Sequence, residues 1–402
     1  MSKVAILRRS MRLRLLSALV IGAFIVYRLW LSPSPAPSWL PLPIGEGTAA
    51  YRTNSTLGFG RIYVVSKKDS PRRSGLLQAA NVTELQLTIP VQPQWTDQDL
   101  KGHPNIGRGS LLAWLGHLHT LREFLDSGAE TALVLEDDVD WDIHLRSLQV
   151  PRVATAVRTL LSSKSKPPVH SSSKAKIEYD DQVTRYPYGD PALWDLLYLG
   201  HCGDYWHGMD IGFEDGHVKP DDLAGRPHVS FRDWSLPNFE NLHPWTASLL
   251  RNLGVPVHTR LVHRSVFPLC TFAYAITRES ARRLVYELAS LQPAEHKAFD
   301  IAILIACRNH GLRCWTVNPE LFHHLPGTSI IGVLEHNNST PPVDAMGQEQ
   351  MEMRGETPNI GCGFWSGDFD FGEDMERLAY LRQEVGRKGQ CLKEWRDSST
   401  GE

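Results

Sequence analysis

Of the short motifs that mark nucleotide-binding and hydrolytic enzymes, this 402-residue sequence has almost none. There is no G-x-x-x-x-G-K-S/T, which excludes the phosphate-cradling loop of ATPases. There is no H-E-x-x-H zinc helix and no G-x-S-x-G nucleophile turn. GFGRIY (58–63) lacks the third glycine of a dinucleotide fingerprint and precedes an apolar run instead of following one. No internal repeat is present. The first 31 residues contain no acid, and no cysteine precedes Cys202.

The missing acid has a consequence. Lys3, Arg8, Arg9, Arg12 and Arg14 lead into LLSALVIGAFIVY (15–27), which carries no charge and is followed by Arg28, Trp30 and the Pro-rich SPSPAPSWLPLP (32–43). A cleaved signal peptide would have a shorter apolar core and a small-residue cleavage site, to which SPSPAP is a poor match. A buried core helix would not be flanked by so many cations. A signal anchor fits best, with Arg28 and Trp30 at the far interface. The expected organisation is a cytosolic tail (1–14), a transmembrane anchor (15–31), a Pro-rich stem (32–57) and a lumenal body, in type II orientation. A span of about 17 residues suits the thin membranes of the endoplasmic reticulum and Golgi. Sequons at Asn54, Asn81 and Asn337–Asn338 agree with a lumenal body. So do six cysteines in an oxidising compartment, for which fifteen complete pairings are open. Beyond residue 31 the chain holds 36 Lys+Arg against 45 Asp+Glu, about −9, which excludes a nucleic-acid binder.

Helical and strand-like patterns alternate along the body. RIYVVS (61–66), ALVL (132–135), WDLLYLG (194–200), CTFAYAIT (270–277) and RCWTV (313–317) read as buried strands, and TELQLTIP (83–90) as an alternating one. PRRSGLLQAA (71–80), with Pro at its first turn, and SLLAWLGHLHTLREFLDSG (110–128) read as helices. In the second, Ser110 can cap, Gly128 can stop, and Leu111, Trp114, Leu115, Leu118, Leu121 and Leu125 keep helical spacing. RESARRLVYELASL, capped by Thr277, and DIAILIACRNHG (300–311) are further helices. The expected fold is α/β, with a single, largely parallel sheet flanked by helices. Insertions are expected at about 162–190, around a Ser/Lys-rich loop, and at 205–268, too irregular for sheet core. Residues 335–402, with Cys362 and Cys391, form an extension folded back on the body.

One stretch concentrates the chemistry. ALVLEDDVDWD (132–142) sets five carboxylates into seven positions directly behind a buried strand. Two carboxylates ~4 Å apart repel by roughly 4 kcal/mol at an effective dielectric of 20, so water, a basic partner or a metal must offset the charge. In open α/β sheets ligands bind outside the carboxyl ends of the strands, where Glu136, Asp137 and Asp138 are expected. Hard oxygen ligands select Mg²⁺ or Mn²⁺ over zinc. Such an ion, with a diphosphate, neutralises a departing nucleoside diphosphate. The competing reading is a solvated acidic turn or helix start.

The helix bearing AWLGH (113–117), with His117 19 residues before Glu136, and the strand ending in Glu-Asp-Asp resemble glycosyltransferase family 25, which includes lipooligosaccharide and collagen galactosyltransferases. WDLLYLG, AYAITRESARRLV (273–285) with Asp300 downstream, and RIYVVSKKDSPRR (61–73) resemble further blocks of that family. The likeness covers roughly 61–332. Ala113, Trp114 and Gly116 stand where the family has Gly, Cys and Ser, and Ser66 where it has Asn.

The resemblance implies a GT-A-like domain (58–334) that uses Mn²⁺ (or Mg²⁺) and a UDP-hexose, galactose or glucose, and transfers with inversion to a glycan, glycoprotein or glycolipid. It implies Glu136 and Asp138 at the metal and ribose, completed by His323 or His324. Val64 lies in the nucleotide-binding strand, and Asp137 and Arg73 stand beside the diphosphate. Asp300 is the expected base and Asp204 the runner-up. Asp300 reads equally as a helix cap, and His117 and Trp114 read most simply as packed core. Two other functions compete. A metal-dependent phosphohydrolase would want several Asp/His clusters, and one is present. A non-catalytic lumenal sugar-binding scaffold would keep the fold without turnover.

Overall fold

The alternation of apolar strands with one-sided helices produces a layered sandwich. In the computed structural model the described residues are 53–101, 103, 105–162, 185–204, 206, 218–291, 296–325 and 359–393. The expected tail, anchor and start of the stem, the Ser/Lys-rich loop from residue 163 and the sequon at Asn337–Asn338 lie outside them. Among the described residues no helix is long and apolar enough to cross a membrane.

The strands are β1 (Arg61–Val65), β2 (Leu87–Thr88), β3 (Thr131–Glu136), β4 (Val139–Trp141), β5 (Leu196–Gly200), β6 (His228–Arg232), β7 (Thr259–Arg264), β8 (Ala273–Thr277), β9 (Cys314–Asn318) and β10 (Phe322–His324). Eight form one sheet in the order β2-β1-β3-β8-β5-β9-β7-β6, and β4 pairs with β10 in a small second sheet. The main sheet is mixed rather than largely parallel. β1 runs parallel to β2 and β3, and β5 parallel to β9. β8 is antiparallel to both β3 and β5, and β7 to both β6 and β9. Reversed strands at these two positions leave β1, β2, β3, β5, β6 and β9 pointing the same way, so their carboxyl ends share one edge.

Helices cover both faces. α1 (Arg73–Thr83) and α3 (Val150–Ser162) lie on one, against Ile62, Val64, Leu133, Leu135, Leu197 and Val317. α2 (Arg108–Asp126), α4 (Arg278–Arg283) and α5 (Phe299–Asn309) lie on the other, against Tyr63, Val134, Tyr198, Tyr274 and Ile276. Adjacent residues of a strand enter opposite cores, as its pleat requires. With both faces covered, the central strands read as continuous apolar runs.

Several local expectations shift. α1 begins at Arg73, after Pro71, with Arg72 at its cap, and α2 begins at Arg108, with Gly107 rather than Ser110 at its cap. Gly128 does follow the end of α2, in the left-handed region at φ +74°, and Thr277 caps α4 by accepting from the Ser280 N–H. TELQLTIP contributes only the two residues of β2, at the edge of the sheet.

The largest correction concerns 205–268, which supplies β6 and β7 and completes the far edge of the sheet. Its strands escaped a hydrophobicity reading because they bury polar groups. Arg260 and His263 are fully buried, the first on Asp233 at 2.7 Å and the second 3.0 Å from Asn318 Nδ2.

All six cysteines pair, Cys202–Cys270, Cys307–Cys314 and Cys362–Cys391. Residues 359–393 do fold back, packing Cys362, Phe369, Leu381 and Val385 against Val82 and Ile143.

Candidate functional site

The carboxyl edge gathers the end of β1, the acidic turn between β3 and β4, the start of α5 and the end of β10. The five carboxylates of the turn divide by role. Asp140 and Asp142 hold the C-terminal segment: Asp140 accepts the Phe364 N–H at 3.0 Å, and Asp142 accepts the Cys362 N–H at 2.9 Å. A Cβ on Gly363 would collide with the Asp140 carboxylate, so glycine lets the two chains approach.

The other three meet basic groups. Arg72 reaches Asp137 Oδ1 at 2.9 Å and Asp138 Oδ2 at 2.8 Å. Ser66 donates to Asp137 Oδ2 at 2.7 Å. His324 Nε2 lies 3.2 Å from Asp138 Oδ2, and His117 Nε2 lies 3.3 Å from Glu136 Oε1. The like charge is thus offset largely by protein cations and hydrogen bonds.

Burial pushes the Asp138 carboxyl up, but the charge and hydrogen bond of His324 and the charge of Arg72 win and hold it below the ordinary carboxylate range. His324 shows the reciprocal effect. Burial lowers it, yet the charge and hydrogen bond of Asp138 carry it up to about 9. Asp300 moves the opposite way from Asp138. Burial raises its carboxyl and the Glu136 charge adds to that, against the backbone N–H groups of Ile301 and Cys270.

The structure brings Glu136, Asp137, Asp138 and His324 together, with Asp300 within electrostatic reach of Glu136. It separates the other expected residues. Arg73 binds Ser66 Oγ and the carbonyls of Ser66 and Lys67, while Arg72 meets the carboxylates directly. Val64 is fully buried in the core.

His323, one residue off in the strand alternation, points to Glu320 at 2.6 Å while its neighbour meets Asp138. Asp204 accepts from the Phe267 N–H at 2.6 Å, the Val266 N–H at 3.2 Å and Thr316 Oγ1 at 2.8 Å. Its oxygens hold loop and strand together. Asp300 lies inside the first turn of α5, where Ala298 is the cap, and it accepts the Cys270 N–H at 3.2 Å. Nothing in PRR ranks Arg72 above Arg73, and Arg72 was missed for that reason.

Among the described residues no group of three or more His, Cys, Asp or Glu side chains is arranged to hold a metal ion. A smaller donor set is present. Asp138 Oδ1 is buried without a hydrogen-bond partner, and the side chain of Glu136, two residues earlier in the chain, is 29% exposed. Magnesium-like ions take one or two carboxylates and complete their shell with phosphate oxygens and water. The donors here that such an ion could use are the free Asp138 Oδ1 and the Glu136 carboxylate.

No known protein family and no curated protein matches the chain. Seven solved chains match it. One is the crystal structure of A197 from STIV, 10% identical over 66% of this chain and 85% of that one, with a TM-score of 0.27. A likeness that low carries no inference about function.

Proposed function

We propose that this chain is a metal-dependent glycosyltransferase on a GT-A-like fold, moving galactose or glucose from its UDP derivative to a glycan, glycoprotein or glycolipid with inversion. The observation that carries the reading is the buried, unpartnered Asp138 Oδ1 beside Glu136 at the carboxyl edge of the sheet. A buried carboxylate oxygen without a partner costs on the order of 1–3 kcal/mol or more, and a bound cation would remove that cost.

Asp138 and Glu136 would hold Mn²⁺ or Mg²⁺, which supplies a Lewis acid for the departing diphosphate. Arg72 is the cation nearest the acidic turn and the group that a diphosphate would attract by a bidentate contact. Asp300, raised by burial, suits the base. It takes the proton of the acceptor hydroxyl as that oxygen bonds to the anomeric carbon and UDP departs with the electron pair of the broken bond. The cationic, then uncharged, N-terminal sequence supports a body in the lumen of the Golgi or endoplasmic reticulum.

A second reading, a sugar-binding scaffold without turnover, is favoured by Arg72. Its guanidinium already bridges Asp137 and Asp138, giving the turn the charge balance that a metal would give. UDP release from a panel of UDP-sugars by the full chain in detergent, with and without Mn²⁺, separates the two. Glycosyltransfer predicts slow Mn²⁺-dependent release from one donor even without acceptor. Absence of release from every donor, with no Mn²⁺-dependent UDP binding, selects the scaffold.

A further inference from the structure

Behind Glu136 lie two buried side chains from different elements, and both ring nitrogens of the histidine between them are in use. His117 of α2 is 2% exposed. Its Nδ1 is 3.2 Å from the Tyr274 hydroxyl on β8, and its Nε2 is 3.3 Å from Glu136 Oε1. The ring stacks on Phe299, the residue before Asp300, at 4.6 Å and 16°.

For a neutral imidazole, donor and acceptor counting leaves one pattern. An ionised carboxylate only accepts, so Nε2 carries the hydrogen. Burial holds the Tyr274 phenol in its protonated form, so its O–H donates to Nδ1. The direction is Tyr274 to His117 to Glu136. The chain ends on a carboxylate whose side chain is 29% exposed, which leaves the second oxygen for a ligand.

We propose that Tyr274 and His117 form a positioning relay that fixes one oxygen of Glu136 and presents the other to a divalent cation bound with a diphosphate. The proposal rests on the function proposed above. His117 and Tyr274 are positioning residues, since they act through Glu136. Their arrangement matches the way an outer partner orients a metal-ligating group, and loss of such a partner weakens metal binding ~10–100-fold.

The test is Mn²⁺ binding in the presence of UDP, read by loss of the free Mn²⁺ electron paramagnetic resonance signal on the full chain. His117→Gln keeps an N–H donor near the Nε2 position, whereas His117→Asn is too short to reach Glu136. The relay predicts Gln within about threefold of wild type, Asn weaker by about tenfold or more, and Tyr274→Phe between them. Thermal midpoints of the Gln and Asn variants should fall alike.

A histidine that only packs would give equal Mn²⁺ affinities for the two variants, and that result overturns the relay. So does an imidazole ¹⁵N spectrum showing the His117 proton on Nδ1 alone. If wild type binds no Mn²⁺ with UDP, the glycosyltransferase reading falls and takes the cation role of the relay with it. If wild type binds and the variants do not split, only the relay falls.

Discussion

Asp138→Asn isolates the charge at the centre of the acidic turn. Asp138 Oδ2 meets Arg72 at 2.8 Å and His324 at 3.2 Å. At ~3 Å and an effective dielectric of about 20, each contact carries roughly 5 kcal/mol of bare attraction. Desolvation of the buried carboxylate takes back most of that. Arg72 keeps Asp137 in the variant, and the His324 side chain is 40% exposed and solvates, so the net loss of stability should be only about 1–2 kcal/mol.

The sharper effect is on His324. Without the aspartate it should fall from about 9 towards the ordinary histidine value of about 6.5. At pH ~7.5 its protonated share then drops from over nine-tenths to about a tenth. Because the folded value is raised, the stability His324 contributes is complete below pH ~6.5 and is lost as pH rises through about 9. The gap between wild type and variant should close over that window. Imidazole NMR titration without added metal reads the first effect, urea unfolding at several pH values the second, and Mn²⁺-dependent UDP release the functional one. An unchanged His324 titration, or full UDP release by the variant, would refute this account of the turn.

Three further outcomes are expected. Asp300→Asn should lower transfer kcat by roughly 10²–10⁴-fold while Mn²⁺–UDP affinity stays within about twofold; equal loss of both would make Asp300 a binding group. Glu320 is held at about 2 because the hydrogen bond and charge of His323 outweigh burial. Its contribution, on the order of 3 kcal/mol, is present above pH ~4.5 and lost as pH falls through about 2, a slope that Glu320→Gln should abolish in acid-unfolding curves. Replacing Cys362 and Cys391 together by alanine opens a link across 29 residues and should cost about 3–4 kcal/mol in denaturant unfolding; a loss below about 1 kcal/mol would mean that packing against Val82 and Ile143 and the contacts with Asp140 and Asp142 hold the C-terminal segment without the disulfide.

Local periodicity, and charge behind an apolar run, specify the central strands, the helices on their faces and the place of the acidic turn. Leu111, Trp114, Leu118 and Leu121 enter the core expected of their spacing, and Glu136 ends its strand. Tertiary structure decided what local pattern does not encode. It reversed β8 and β7 within the sheet, and it drew β6 and β7 from a stretch whose buried Arg260 and His263 hid its strands. It chose among the fifteen cysteine pairings, and it made Asp204 a loop anchor. It also chose Arg72 over Arg73 and His324 over His323. In each of those pairs the residue types are identical and adjacent, so composition gives no preference. The backbone direction at the end of a turn or along a strand sends one side chain to the carboxylates and its twin away, and that direction is fixed only when the whole sheet has formed.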